Sequence, residues 1–392
     1  RVYIEIPKEY RDPTGRDQGM VCKLNLRLYG TRDAAQNLQK EYTGYMLELG
    51  FKVGRASPCN FYHAKMDITC TVRGDDFTSC GPESEIAWFY SKLAAKYEST
   101  RNILGPSSKH EKTIRVLNRV LTWGSDGIMY EADQRHADIV VNELGLKDAK
   151  LVSTPGSKED VERMLQDIGE LRSPNDSTMY RALAARLNYL ALDRPDIQFA
   201  TKEIARHMAA PTSGNWVLMK RMARYLLGSP RLVQVFRWQS PAGALSTYTD
   251  SDWAGDKATR KSTSGGIAFL GAHCIKSWAA SQTIIALSSA EAELYAMVSA
   301  SAEALAMVAY AQDLGMSLTC EMYCDSAAAL GITNWAGIGK VRHLRTQGLW
   351  VQEARASGRI TYKKVMGEKN PADLLTKYLC ADVINKHINT LN

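Results

Sequence analysis

Apolar positions recur along the chain with two periods, and the alternation between them predicts a mixed succession of helices and strands. Leu38, Tyr42, Tyr45, Met46 and Leu49 fall at helical spacing, which predicts a helix over 33–49 stopped by Gly50. Val21-Cys22-Lys23-Leu24 reads as a strand ending near Gly30. Ile68-Thr69-Cys70-Thr71-Val72 is a β-rich run that halts at Gly74-Asp75-Asp76, and a helix is expected over 85–97. Residues 114–123 and 128–130 read as two strands about the turn Gly124-Ser125-Asp126-Gly127, with a helix over 134–144 closed by Gly145. Residues 150–175 are polar, carry Pro155-Gly156 and Pro174, and read as a linker. Helices over 180–192, 198–208 and 215–227 follow.

From Ala244 the pattern changes. Strands are expected over 245–250, 266–270 and 274–278, then a long helix over 288–314. Ser288 and Glu291 stand at capping-box spacing, and Gly315 stops the helix. A strand over 318–324, a helix from Ser326 and a strand over 360–365 come next. Asn370 then caps a last helix with Pro371 in its first turn. The order is three strands, helix, strand, helix, strand, helix.

Composition adds little. The chain has 392 residues, 45% of them hydrophobic, enough for two or three domains with real cores. The net charge of +7 permits a phosphate-bearing partner without demanding one. Arg181, Arg186, Arg194, Lys202, Arg206, Lys220, Arg221 and Arg224 crowd the three helices over 180–227; they form either a face that tracks a nucleic-acid backbone or an ordinary solvated surface. The eight cysteines form no CxxC pair, which argues against zinc and fits a reducing compartment. No signal peptide is visible and no apolar stretch is expected to cross a membrane, so the expected location is intracellular, cytoplasmic or nuclear. The chain opens on Arg1 and at once on an alternating apolar stretch, as a fragment or a cleaved product would.

Four acids sit at informative places. Asp250 ends the first C-terminal strand, Glu293 lies one turn into the long helix, Asp325 ends the fourth strand, and Asp373 lies in the first turn of the last helix. Hydrolysing a phosphodiester with water requires an activated nucleophile and stabilisation of the leaving oxygen, which two divalent ions roughly 3.5–4 Å apart supply. Mg2+ takes oxygen ligands, so three or four carboxylates suit it. With 42 acids in 392 residues, each alone is weak evidence. Asp373 is equally explained by stabilisation at a helix N-terminus. Glu293, however, belongs to a helix whose other faces are largely small and apolar (Ala292, Leu294, Ala296, Met297, Val298, Ala300), where a charge needs a partner or a metal. Their joint order predicts one site.

These motifs resemble those of a known family. Tyr248-Thr249-Asp250-Ser251-Asp252-Trp253-Ala254-Gly255-Asp256, Arg260-Lys261-Ser262-Thr263-Ser264-Gly265-Gly266, Ser288-Ser289-Ala290-Glu291-Ala292-Glu293, Cys324-Asp325-Ser326 and Asn370-Pro371-Ala372-Asp373-Leu374-Leu375-Thr376-Lys377 resemble the ribonuclease H domain of Ty1/copia-type retrotransposon Pol polyproteins. The resemblance continues upstream through Arg194-Pro195-Asp196-Ile197 to Leu28-Tyr29-Gly30 and covers essentially the whole chain. It implies that Asp250, Glu293, Asp325 and Asp373 bind Mg2+ (or Mn2+). Asp252 competes with Asp250 for the first role, and Asp250 is preferred because it ends the strand. His343 matches a family histidine of open role; a second histidine expected after it is Leu349 here.

Asp75-Asp76 resemble the paired aspartates of a reverse transcriptase palm hairpin, although Arg73 and Gly74 replace the usual aromatic and small apolar residues. The third palm aspartate of the family falls upstream of the stretch matching Val2-Tyr3, outside this sequence. The expected architecture is α/β (α+β): a partial palm over 1–156, a helical thumb or connection over 157–240, a ribonuclease H-like mixed five-stranded sheet with helices over 241–380, and a tail over 381–392. The expected activity is Mg2+-dependent hydrolysis of RNA in RNA–DNA hybrids, attached to an incomplete RNA-directed DNA polymerase, with template RNA and DNA as further partners. Its rival is a catalytically silent, nucleic-acid-binding remnant. An integrase-type nuclease places its glutamate last, whereas here the glutamate comes second.

Overall fold

The computed structural model describes residues 3–25, 33–167, 169, 173–335, 337 and 346–391. His343 and the Leu28-Tyr29-Gly30 motif lie outside the described residues. The chain is an α/β protein of two compact units, one comprising Arg1–Ser99 with Ala309–Met316, the other Thr100–Val308 with Ser317–Asn392.

In the first unit, strands Lys52–Val53, Asn60–His63, Ile68–Arg73 and Asp76–Cys80 form an antiparallel meander. Helices Ala34–Glu48 and Glu83–Lys96 supply its cover. The helical stripe read from the sequence delivers Tyr42 and Met46 to a core with Phe61, Ile68, Cys70, Val72 and Phe89. Alternation along Ile68–Arg73 buries Ile68, Cys70 and Val72 and leaves the intervening threonines half-buried. The strand halts at a two-residue turn because Gly74 adopts φ +63°, and Asp76 pairs back with Arg73.

The second unit holds two sheets. The smaller is antiparallel, in the order Gln234–Arg237, Gly127–Ala132, Arg119–Trp123, Thr113–Val116. The run over 114–123 is therefore two strands rather than one. Leu117 and Asn118 both take positive φ and make the turn. Asn favours that conformation, whereas Leu concealed it within an apolar run. The linker expected over 150–175 contains a helix, Lys158–Gln166, capped by Ser157, whose side chain accepts from the Asp160 N–H. This helix buries Met164 among Leu183, Leu187, Met219 and Met222 of the helices Pro174–Ala191 and Asn215–Gly228.

The larger sheet is mixed and five-stranded, in the order His273–Ser281, Thr263–Leu270, Ala244–Ser251, Thr319–Cys324, Thr361–Lys364. The first two junctions are antiparallel and the last two parallel, as a ribonuclease H-like domain requires. Helix Ser289–Asp313 covers one face, packing Ala300 and Ala304 on Leu245, Ala268 and Met322. By length and composition this helix is apolar enough to cross a membrane, contrary to the reading of the sequence alone. It is a core helix of the sheet, with Ala292, Leu294, Met297 and Ala300 fully buried. Its start is half of a capping box: Glu291 N–H donates to Ser288 Oγ at 3.2 Å, while the Glu291 carboxylate accepts from Leu287 N–H at 2.7 Å.

The opposite face carries the end of the chain. The helix opened by Asn370 is one short 3-10 turn, Pro371–Leu375. Residues 381–391, expected as a tail, form a helix that buries Ile384 and Leu391 with Ile267, Phe269 and Leu375. Those buried side chains recur at helical spacing, which is why the segment docks instead of fraying.

Candidate functional site

The parallel pairing of Ala244–Ser251 with Thr319–Cys324 places Thr249 opposite Cys324. Asp250 and Asp325 follow one residue later, side by side at the C-terminal ends of adjacent strands. Asn370 brings in a third acid. Fully buried, it donates from Nδ2 to the Thr249 carbonyl at 2.9 Å and accepts from Ala372 N–H at 3.2 Å. One amide thus ties the 3-10 turn to the strand end and sets Asp373 beside it. The approach is close enough to require Gly265, the antiparallel partner of Asp250: a Cβ there would lie 2.8 Å from both Leu375 Cβ and Thr376 Cγ2.

Carboxylate oxygens of Asp250, Asp325 and Asp373 converge within 4.8 Å of one another. Asp325 also belongs to a second group of the same tightness, with Glu293 and Cys324. All four acids singled out in the sequence therefore meet in one cluster, joined through Asp325. Asp252 is in neither group; its carboxylate accepts from Thr263 N–H at 2.6 Å. Asp75 and Asp76 are exposed at the hairpin of the first unit, and among the described residues neither belongs to such a group.

Electrostatics at the cluster are adverse to ionisation. Burial, then the neighbouring Asp373 and Asp325 charges, push the Asp250 carboxyl up to about 7, although Lys377 and a hydrogen bond from Thr376 Oγ1 pull the other way. Burial, then Asp250 and Asp325, push Glu293 up to about 8; one oxygen accepts from Ser251 N–H at 3.2 Å. The Cys324 thiol, 3.8 Å from the other Glu293 oxygen, is raised strongly, first by burial and then by Glu293. Lys377 Nζ lies 2.9 Å from Asp373 Oδ1 and 3.7 Å from Asp250 Oδ2. The former is a direct ion pair at hydrogen-bonding distance.

The donor set fits a hard divalent cation. It offers carboxylate oxygens in number and more negative charge than one lysine neutralises. Thr376, Lys377 and Asn370 were not assigned functional roles in the sequence. Their signal there was membership of the motif around Asp373, with Asn370 read only as a helix cap.

Most cations of the basic helices have partners within the chain, though only Arg194 is buried. Arg194 is 1% exposed, paired through two nitrogens with Asp196 at 2.8 and 2.6 Å, and donates to the carbonyls of Ser229 and Pro230. Arg221 is held by Asp160 and Thr154, Arg206 by Glu203 and Asp256, Lys202 by Glu203 and Thr263, and Arg181 by two carbonyls. These cations join helices to their surroundings, while the side chains of Arg181 and Lys220 are exposed.

No family model matches the chain. Among curated proteins it is 26% identical over 409 residues to the retrovirus-related Pol polyprotein from transposon TNT 1-94 of Nicotiana tabacum, covering 99% of this chain and 30% of that protein. It is 28% identical over 390 residues to the Pol polyprotein from transposon RE1 of Arabidopsis thaliana, covering 96% of this chain and 25% of that protein. The chain is a homologue of the transposon Pol polyproteins. It spans between a quarter and a third of their length. A foamy viral protease-reverse transcriptase solved in complex with RNA/DNA hybrid aligns with a TM-score of 0.48 and 12% identity, covering 87% of this chain and 39% of that one.

Proposed function

We propose that this chain hydrolyses the RNA strand of RNA–DNA hybrids, using divalent cations, Mg2+ or Mn2+, held by Asp250, Glu293, Asp325 and Asp373. The observation that carries the reading is the convergence of these four acids, from four separate elements, on the C-terminal edge of one sheet. Bound there, a pair of ions would activate water and neutralise charge on the leaving oxygen. The chain's own contribution is positional. Asn370 and Gly265 let the Asp373 turn seat against the strand end, Thr376 orients Asp250, and Ser251 N–H orients Glu293. Asp325, common to both groups, would bridge them.

The assignment of 1–156 to a palm and 157–240 to a thumb or connection belongs to the same proposal, as does an intracellular location. Asp75 and Asp76 are read as a palm remnant; with no third carboxylate beside them among the described residues, no polymerase step is proposed. Strand choice tests the reading. The full chain with Mg2+ should cut RNA in a hybrid and leave RNA duplex, DNA duplex and the DNA strand of the hybrid intact. Equal cutting of all substrates would contradict it.

A further inference from the structure

We propose that Lys377 is a tethered counter-ion of the carboxylate cluster, which a divalent cation must displace from Asp250 and Asp373 in order to bind. The inference rests on the nuclease reading and deepens it, because it concerns how the same site changes hands between two cations. Lys377 Nζ lies 2.9 Å from Asp373 Oδ1 and 3.7 Å from Asp250 Oδ2, between two acids of one potential ligand group. Among the described residues no other Lys or Arg side chain is ion-paired with the four acids.

Local structure holds Lys377 there. It stands four residues after Asp373, and its neighbour Thr376 donates to Asp250, so the backbone is fixed from both sides. Burial opposes its charge, but Asp250 and Asp373 outweigh that and keep the ammonium more firmly protonated than usual.

An ammonium is a donor without a lone pair and cannot ligate a metal. A divalent ion taking the oxygens of Asp250 and Asp373 would face a like charge at roughly 4 Å, which is unfavourable by a margin that matters even in a partly solvated site. One of the two cations must leave. The lysine side chain is 45% exposed whereas Asp250 is 4% and Asp373 18% exposed, so the lysine has an open path to solvent that the acids lack. In the metal-free protein Lys377 would hold the acids together, and in the loaded protein it would be released beside them.

The test compares metal-stripped full chain with Lys377→Met and Lys377→Arg. Mg2+ affinity is measured by calorimetry, and thermal stability with EDTA and with saturating Mg2+. K377M should bind Mg2+ roughly tenfold more tightly than wild type, as expected for removing one like charge beside the ion. Its melting temperature should fall in EDTA, and that deficit should close in Mg2+. K377R should stay within about twofold of wild-type affinity, since the charge is kept. If K377M unfolds in EDTA, recovery of the fold on adding Mg2+ supports the proposal and failure to recover overturns it. Equal destabilisation with and without Mg2+, or unchanged or weaker affinity in K377M while the wild type cleaves hybrid, would overturn the counter-ion role alone. Absence of Mg2+ binding by the wild type would overturn it together with the nuclease reading.

Discussion

Replacing Asp250 with Asn should make the metal-free protein more stable while removing its response to Mg2+. Asp250 is buried and its carboxyl is pushed up to about 7 from an ordinary value of 3.8. Three units at about 1.4 kcal/mol each set a ceiling of roughly 4 kcal/mol for the cost of carrying that charge at pH 8. The effective dielectric of a protein site, well above that of a dry interior, lowers the net cost to about 2 kcal/mol. Asn is nearly isosteric, and its Oδ1 still accepts from Thr376 Oγ1, while Lys377 retains Asp373. For a unit of this size about 2 kcal/mol corresponds to a rise of roughly 4 °C. Thermal unfolding at pH 8 in EDTA, then in Mg2+, reads both effects. Wild type should gain stability on adding Mg2+ and D250N should not. A lower melting temperature for D250N in EDTA, or an Mg2+ shift equal to that of wild type, would refute the electrostatic account.

The same shifts predict the pH dependence. Asp250 and Glu293 titrate higher in the folded chain than in the unfolded one, so the folded state binds more protons between about pH 4 and 8. Their contribution is therefore most favourable near pH 4 and is lost as pH rises through about 7 to 8. In a pH series of melts, the Mg2+-induced rise should be larger at pH 8 than at pH 6; a larger rise at pH 6 would reverse the sign worked out here. Asn370→Ala should cost about 2 kcal/mol, since it leaves the buried Thr249 carbonyl without that donor and frees the Asp373 turn. Mg2+ affinity should weaken with it. A variant that melts earlier but binds Mg2+ as wild type does would show that Asn370 does not position Asp373.

The cluster was legible in the sequence to the extent that it depends on element order. Asp250 and Asp325 end strands recognisable by their apolar pattern, and adjacent parallel strands bring such ends together. Glu293 was conspicuous as a charge among Ala, Leu and Met on a buried helix. Lys377 and Thr376 were not given roles, because their contacts with Asp250 span more than a hundred residues, although the four-residue spacing of Asp373 and Lys377 was a local hint. The basic helices left two readings open in the sequence, and the partners of Arg221 and the second partner of Arg206, Asp256, lie far along the chain, whereas those of Arg194 and Arg206 at Asp196 and Glu203 are local. Local errors had local causes. Leu117 concealed a turn inside an apolar run, and the polar residues around Lys158–Gln166 masked its short buried face.

The central claim is that four acids form one hydrolytic site, and Asp325 is the residue common to both of its groups. The most direct measurement is Mg2+-dependent cleavage of a strand-labelled RNA–DNA hybrid by the full chain and by Asp325→Asn. The account predicts RNA cleavage by the wild type that EDTA abolishes, and a rate at least roughly a thousandfold lower in D325N, a loss of about 4 kcal/mol of transition-state stabilisation. Cleavage at the same rate by both proteins, or none by the folded wild type in Mg2+ or Mn2+, would contradict it.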